Sequence, residues 1–202
     1  MVLAREKGLQ VNALARRPDK LRDFHDHVIP IEGNVTDPSA VERVVAGCSA
    51  VLSVLGPRRD AVGTRSRDDL LTIASLNTVA AMKKEGVRRL IVLTNTAVKD
   101  PSDRLPLSQK TARFVLRVLN DRLSLDSIAA ASVISNSGLD WTLVRPAILT
   151  DGPRTGNYRV GALARGMPLR ISRADVAEFM ISCLVEGKFV HERPALGGGH
   201  AK

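Results

Sequence analysis

The sequence contains few aromatic residues and few cysteines. Phenylalanine, tryptophan and tyrosine make up 3% of the 202 residues, and Cys48 and Cys183 are the two cysteines. Two cysteines can build neither a disulfide framework nor a CxxC metal site, which predicts an intracellular, reduced protein. Because nucleic-acid bases stack on aromatic faces, the scarcity of aromatic rings predicts that nucleic acid is not a partner.

Long hydrophobic runs are absent as well. No run approaches the roughly 18 apolar residues of a spanning helix, and Met1–Gly8 lacks the apolar core of a signal peptide. The sequence thus predicts a soluble, cytoplasmic protein with no membrane partner. Its length predicts one domain over residues 1–202, with a flexible glycine-rich tail over residues 195–202.

Apolar runs alternate with helix-length segments along the chain. Continuous apolar runs are typical of strands covered on both faces, which favours a parallel sheet wrapped by helices. The predicted fold is therefore α/β, with a doubly wound, mainly parallel sheet. The predicted strands are Leu9–Ala15, Val28–Glu32, Ala50–Leu55, Leu90–Thr94 and Trp141–Val144, and the predicted helices are Asp37–Ala46, Asp68–Glu85, Leu107–Ser137 and Arg173–Leu184.

Arg16 and Arg17 follow the first predicted strand. Ligands of open parallel sheets bind beyond the carboxyl ends of the strands. A site for NAD would place Asp or Glu here, whereas arginine suits the 2′-phosphate of NADP through charge-assisted hydrogen bonds. The alternative is a pair of solvated surface arginines without a ligand.

The later strand ends add further candidate contacts. Each loop taken alone is an ordinary turn, but their joint placement at successive strand ends predicts a dinucleotide site. The candidates are Asn34 and Val35 for the adenine, Leu55 and Gly56 for the pyrophosphate or ribose, Thr94 and Asn95 after the fourth strand, and Pro146, Ala147 and Ile148 after the fifth.

A glycine-rich phosphate loop is absent from the sequence. Dinucleotide folds open with a strand, that loop, and a helix that presents its amides to the pyrophosphate. Here Met1–Gly8 reads as the closing turns of such a helix, with Gly8 as its stop. We expect a domain that lacks its first strand and glycine loop, either because translation starts upstream or because this is a shortened relative that binds its cofactor weakly.

Basic residues outnumber acidic ones by 30 to 21, a net charge of +9. The densest stretch, Arg154–Arg173, carries five arginines and no acid. Such a stretch favours a phosphorylated ligand or is a solvated surface. The loop Thr150–Val160 is predicted to fold over the substrate through Arg154, Tyr158 and Arg159; the alternative is a turn-rich surface loop.

Several segments together resemble the atypical short-chain dehydrogenases. ALARRPDKL, SGLDWTLVRP, TDGPRTGNYR and ISRADVA, at these spacings, resemble the NAD(P)H-binding group that includes biliverdin-IXβ reductase/flavin reductase and the NmrA-like proteins. The resemblance covers Val11 to about Phe189 and implies a Rossmann-type domain that binds NADP(H).

The same resemblance implies roles for individual residues. It implies Arg16 at the 2′-phosphate, Asn34 and Val35 at the adenine, Leu55 and Gly56 along the dinucleotide, Thr94 and Asn95 as catalytic candidates near the nicotinamide, and Pro146, Ala147 and Ile148 against its ring. Asn95 departs from the family, because the flavin reductases carry Ser at that position.

The residues of a carbonyl reductase are missing. Such enzymes use Tyr-x-x-x-Lys, whereas Tyr158, the one tyrosine, has Ala162 four residues later.

No cluster of His, Cys, Asp or Glu has metal-ligand spacing. Hydride transfer to a conjugated acceptor does not require a catalytic acid from the protein, because the cofactor carries the chemistry.

The predicted function is therefore NADPH-dependent reduction of a flavin, a quinone or a similar small-molecule acceptor, with FMN or FAD as substrate rather than bound cofactor. The alternative is a non-catalytic, NADP(H)-sensing regulator of the NmrA-like type. The expected assembly is a monomer or a homodimer.

Overall fold

The computed structural model describes residues 1–24, 26–56, 69–104 and 121–198. Within them, helices and strands alternate up to residue 146, and a 3-10 helix (Pro18–Phe24) follows the first strand. Three more strands then precede the last helix. The helices are α1 (Val2–Glu6), α2 (Pro38–Val45), α3 (Leu70–Lys84), α4 (Asp121–Ser135) and α5 (Arg173–Val185). The strands are β1 (Val11–Ala15), β2 (Val28–Glu32), β3 (Ala50–Ser53), β4 (Arg89–Leu93), β5 (Asp140–Pro146), β6 (Ile148–Thr150), β7 (Tyr158–Gly161), β8 (Arg170–Ser172) and β9 (Ala195–Gly198).

The strands form three hydrogen-bonded sheets. β1 pairs with β2, β6 pairs with β8, and the largest sheet has the order β3-β4-β5-β9-β7. Every pairing between these strands is parallel except that of β7 with β9. The prediction of a mainly parallel α/β fold is confirmed.

Helices cover both faces of the large sheet. One apolar cluster joins α2, α3 and α4 to one face of β4 and β5, and a second joins α5 to their other face. Met82, Ile134 and Leu143 are central to the first cluster, and Ile91 and Met180 to the second. Successive side chains of β4 and β5 point to opposite faces of the sheet, so each strand contributes residues to both apolar clusters.

The β1–β2 pair has no hydrogen-bonded neighbour among the described strands. Helix α2 connects it to the rest of the molecule, because α2 packs against β1, β2 and α3. The amide of Asn12 in β1 also donates to the carbonyl of Val44, at 3.3 Å, near the end of α2. Helix packing therefore holds this two-stranded sheet in place.

The C-terminal segment corrects one expectation. Residues 195–198, predicted as part of a flexible tail, form β9 between β5 and β7, and Leu196 is buried. A Cβ on Gly197 would lie 2.5 Å from the carbonyl oxygen of Pro168, so only glycine fits this close contact. The prediction is wrong for these four residues, and residues 199–202 lie outside the described part.

The predicted helix boundaries agree with the structure where it describes them. Asp37 caps α2 by accepting a hydrogen bond from the amide of Ser39, and Ser172 caps α5 by accepting one from the amide of Asp175. Residues 107–120 of one predicted helix and Asp68 at the start of another lie outside the described residues.

Candidate functional site

The carboxyl ends of the parallel strands form the candidate site. Parallel strands of one sheet end at the same edge, and α2 returns the chain from the end of β2 to the start of β3. The amide of Gly33 donates to the carbonyl of Ala15, at 3.2 Å, and so joins the ends of β1 and β2. A Cβ on Gly33 would lie 2.5 Å from the Cβ of Ala40, so this glycine lets α2 approach closely.

Arg16 and Arg17 lie exposed directly after β1. Neither side chain makes a hydrogen bond or ion pair with another residue in the described ranges. Two exposed guanidinium groups without a protein anion fit the 2′-phosphate of a nicotinamide dinucleotide.

Asn34 and Val35 form the turn after β2. The side-chain oxygen of Asn34 accepts a hydrogen bond from the amide of Thr36, at 3.2 Å, and the carbonyl of Val35 accepts one from Asn77, at 3.0 Å. These bonds fix the turn and leave the Asn34 side chain exposed. The turn fits the edge of an adenine.

Leu55 and Gly56 follow β3 at the same edge. Both are exposed, and apart from its chain neighbours no heavy atom of the described residues lies within 4 Å of the place where a Cβ of Gly56 would stand. A ligand can therefore approach this backbone closely.

Thr94 and Asn95 follow β4. The amide of Thr94 donates to the carbonyl of Val144, at 2.8 Å, which joins the ends of β4 and β5. The Asn95 side chain is engaged at both ends, because its nitrogen donates to Ser127, at 2.8 Å, and its oxygen accepts from the amide of Ala97, at 2.9 Å.

An open pocket lies beside Thr94, between the ends of β3 and β4 and the helices α3 and α4. Its wall combines hydroxyl groups with aliphatic side chains. The lining residues are Ser53, Leu55, Leu71, Ser75, Val92, Leu93, Thr94, Ser127, Ala130, Ala131, Ile134 and Leu143.

The N-terminus of α3, at the rim of this pocket, is occupied by a carboxylate of the protein. The buried Asp126 accepts hydrogen bonds from the amides of Leu71, at 2.9 Å, and Thr72, at 3.0 Å. These amides would otherwise be available to an anionic ligand. We therefore place no phosphate at this helix end.

Pro146, Ala147 and Ile148 connect β5 to β6. The amide of Ala147 donates to Leu196, at 2.7 Å, and that of Ile148 to Leu169, at 3.0 Å, so the backbone is held on both sides. The Ile148 side chain is 66% exposed. The result is a rigid turn with an apolar surface, which fits a flat ring.

The predicted substrate loop contacts its own protein. Arg154 donates to Glu6 of α1, at 2.9 Å, and Arg159 donates to the carbonyl of Gly166, at 3.3 Å. Tyr158 packs edge-on against Phe179, with ring centroids 6.2 Å apart. Burial raises the pKa of Tyr158 to about 12. A phenol with this pKa is a poor proton donor at neutral pH.

Asp175, which the sequence did not single out as a site residue, anchors that loop. It is buried and accepts hydrogen bonds from the amides of Thr155, at 2.7 Å, and Gly156, at 2.9 Å, and from the hydroxyl of Ser172. Burial opposes its ionisation, but these hydrogen bonds outweigh burial and hold the pKa of Asp175 below its ordinary value. Its position three residues after a capping serine was the signal in the sequence.

A buried ion pair supports the strand end that precedes Pro146. Arg145 is completely buried, and its guanidinium donates to both oxygens of Asp103, at 2.8 and 3.0 Å. Asp103 also accepts a hydrogen bond from the amide of Leu163, at 2.9 Å. The pair therefore connects β5 to the loop that contains Asp103 and to the loop that contains Leu163. Burial opposes the ionisation of Asp103, but the bond from Arg145 helps to hold its pKa below the ordinary value.

The described residues contain no group of three or more His, Cys, Asp or Glu that could hold a metal ion. None of the described helices has the length and apolar character needed to cross a bilayer.

Residues 1–186 match the model of a family described as NAD(P)H-binding. The anaerobilin reductase ChuY of Escherichia coli has a similar structure, with a TM-score of 0.78, 20% identity, and coverage of 100% of this chain and 90% of that one. A Rossmann-fold NAD(P)-binding family protein of Shigella flexneri has a TM-score of 0.67 and 23% identity, with coverage of 100% and 88%.

A short-chain dehydrogenase/reductase of Veillonella parvula, solved in complex with NADP, has a TM-score of 0.67 and 17% identity, with coverage of 94% of each chain. These three likenesses concern the fold. They confirm the Rossmann-type fold that the sequence predicted.

Proposed function

Since this chain belongs to the NAD(P)H-binding family, as its resemblance to atypical short-chain dehydrogenases predicted, we propose that it transfers hydride from NADPH to a flat, conjugated acceptor. The acceptor class comprises flavins, quinones and linear tetrapyrroles. The last is included because a structural neighbour is described as an anaerobilin reductase.

The observation that carries the proposal is the distribution of groups along one edge of the sheets. The exposed Arg16 and Arg17 directly follow β1, and the exposed Ile148 follows β5. The two arginines suit a 2′-phosphate, and Ile148 suits a nicotinamide ring. NADPH carries these two groups at its opposite ends.

The nicotinamide cofactor, when bound, supplies the hydride. Arg16 and Arg17 hold the phosphate end, and Asn34 and Val35 border the adenine. At the other end, the fixed turn at Ile148 orients the ring and excludes water from one of its faces. The chain's contribution is binding and orientation, since the pKa of Tyr158 is raised to about 12, which makes this phenol a poor proton donor at neutral pH.

One observation favours the second candidate, a non-catalytic NADP(H) sensor. The Asn95 amide, a predicted catalytic group, already bonds to Ser127 and to the amide of Ala97. A side chain engaged at both ends is suited to fixing the backbone rather than to proton transfer.

Oxidation of NADPH, followed at 340 nm with FMN, menadione or dichlorophenolindophenol as acceptor, separates the two candidates. Turnover with at least one acceptor, and slower turnover with NADH, is the expected result. Tight binding of NADP⁺ by calorimetry, without turnover of any acceptor, would select the sensor instead.

A further inference from the structure

The five arginines of the basic stretch fall into two groups. Three of them make a side-chain hydrogen bond or ion pair with another residue. The other two are exposed, and their side chains make no hydrogen bond or ion pair in the described part of the chain. The engaged ones are Arg154, Arg159 and Arg173; the other two are Arg165 and Arg170.

Arg170 lies beside the apolar turn of the candidate site. It begins β8 and is the register partner of Ile148 in β6, so the two Cα atoms are about 5 Å apart. Partners in neighbouring strands point to the same side of a sheet. Both residues are exposed. The next residue of β8, Ile171, points to the other side of the sheet and is buried in the apolar core.

The backbone of Leu169, which directly precedes Arg170, holds the turn in place, because its carbonyl accepts the hydrogen bond from the amide of Ile148, at 3.0 Å. Arg170 is therefore on the same side of the β6–β8 sheet as the exposed side chain of Ile148. An acceptor with a flat ring and one anionic group, stacked on a ring at Ile148, matches this arrangement.

We propose that Arg170 binds an anionic group of the hydride acceptor, a phosphate or a carboxylate, while the acceptor's ring stacks on the nicotinamide ring that lies against Ile148. The inference rests on the proposed function, which places the nicotinamide ring at Ile148. Arg170 then selects anionic acceptors over neutral ones, because a guanidinium without a protein anion gives its donors to the ligand.

FMN and riboflavin test this directly, since they share one ring system and differ by a phosphate. Each flavin is titrated into the full chain at saturating NADP⁺, with flavin fluorescence as the readout. We expect the native chain to bind FMN about tenfold more tightly than riboflavin, as one exposed charge-assisted contact would give.

Arg170→Met keeps the aliphatic stem and removes the charge. It is expected to abolish the preference for FMN while riboflavin binding stays unchanged. Arg165→Met is the matched control, because Arg165 is the other arginine of the basic stretch that is exposed and makes no side-chain hydrogen bond or ion pair within the described part of the chain. Its neighbour Ala164 bridges to Arg104 rather than to β6. This control should retain the preference, and thermal unfolding of both variants should match that of the native chain.

A second pair of probes separates phosphate from carboxylate. A naphthoquinone carboxylate and its neutral methyl analogue are titrated in the same way. Loss of both preferences in Arg170→Met supports a general anion contact, and loss of the FMN preference alone supports one restricted to phosphate.

Equal binding of FMN and riboflavin by the native chain overturns the inference, as does absence of binding by both. An unchanged preference in Arg170→Met, or an equal loss in Arg165→Met, overturns it too. A chain that reduces neutral menadione without preferring FMN keeps the proposed function and loses this inference. A chain that binds FMN through Arg170 but oxidises NADPH with no acceptor loses the function and keeps the anion contact.

Discussion

The β1–β2 end of the molecule and the end formed by β5, β6 and β8 differ in where their charges lie. At the first end, Arg16 and Arg17 are exposed on a two-stranded sheet. At the second, Arg145 and Asp175 are buried and make several hydrogen bonds to neighbouring loops. Exposed charges remain available to a ligand, whereas buried ones are committed to the fold.

This difference separates two kinds of substitution. Changes to the buried charges should alter the free energy of unfolding, because each leaves polar groups unpaired inside the protein. Changes to the exposed arginines should alter ligand binding and leave stability almost unchanged. The predictions below test this separation.

Asp103→Asn should have the largest effect, lowering the free energy of unfolding by about 3–5 kcal/mol. The change leaves the completely buried guanidinium of Arg145 without its anion. Urea denaturation at neutral pH measures the loss. Asp140→Asn, which breaks the exposed pair with Arg88, is the control and should cost about 1 kcal/mol or less. Equal losses in the two variants would contradict the prediction.

Asp175→Asn should lower the free energy of unfolding by about 2–3 kcal/mol at neutral pH, through its bonds to Thr155, Gly156 and Ser172. Because the folded-state pKa of Asp175 is lowered, the carboxylate's contribution is complete above the unfolded pKa of about 3.9. It is lost as the pH falls through the folded pKa.

Thermal unfolding at pH 7 and pH 3 checks this dependence. The difference between the native chain and Asp175→Asn should shrink at the lower pH. Asp151→Asn, an exposed acid of the same loop, serves as the control and should leave the pH dependence unaltered. A difference that grows on acidification would refute the assignment.

The double variant Arg16→Ala and Arg17→Ala should weaken NADPH binding by about tenfold to a hundredfold and leave NADH binding unchanged. Loss of charge-assisted hydrogen bonds of about 1.5–3 kcal/mol gives this range. Calorimetry at two salt concentrations measures it, and the native preference for NADPH should decline as salt rises. Arg22→Ala, another exposed arginine of this end, is the control.

Tyr158→Phe should have the smallest effect, changing the rate of NADPH oxidation by less than about twofold. A proton donor would be worth about a hundredfold or more. The ring of Tyr158 packs edge-on against Phe179, and partial burial raises its pKa to about 12. The pH profile of the rate should therefore be the same in the variant, and a shifted profile would make Tyr158 a catalytic candidate.

The first five strands could be predicted because each coincides with a mainly apolar run between helix-length segments. Once they are placed, Thr94 and Ile148 follow at the correct edge of the sheet. Short strands such as β6 and β8 have three residues each, too few to show a pattern. β9 consists of Ala-Leu-Gly-Gly, and its place depends on close contacts with Pro168 and Arg170, which no local pattern encodes.

The charges of the site were harder to predict than its backbone. Arg154 meets Glu6, a residue 148 positions earlier in the chain, so its engagement depends on the tertiary fold. Arg145 gave a weak signal as a lone charge within an apolar strand. Arg170 differs from its neighbours only through the absence of an internal partner in the described residues, which becomes visible when the strands are paired.

The attachment of β1 and β2 through α2 has a consequence for native-state fluctuations. The amides of β4 and β5 lie in the five-stranded sheet under helices on both faces, so they exchange with deuterium only when most of the domain opens. The β1–β2 ladder has no strand neighbour among the described residues and is held by packing against helices, so its amides should exchange sooner. NADP(H) bound at Arg16 would slow that exchange, which makes the ladder a reporter of cofactor binding.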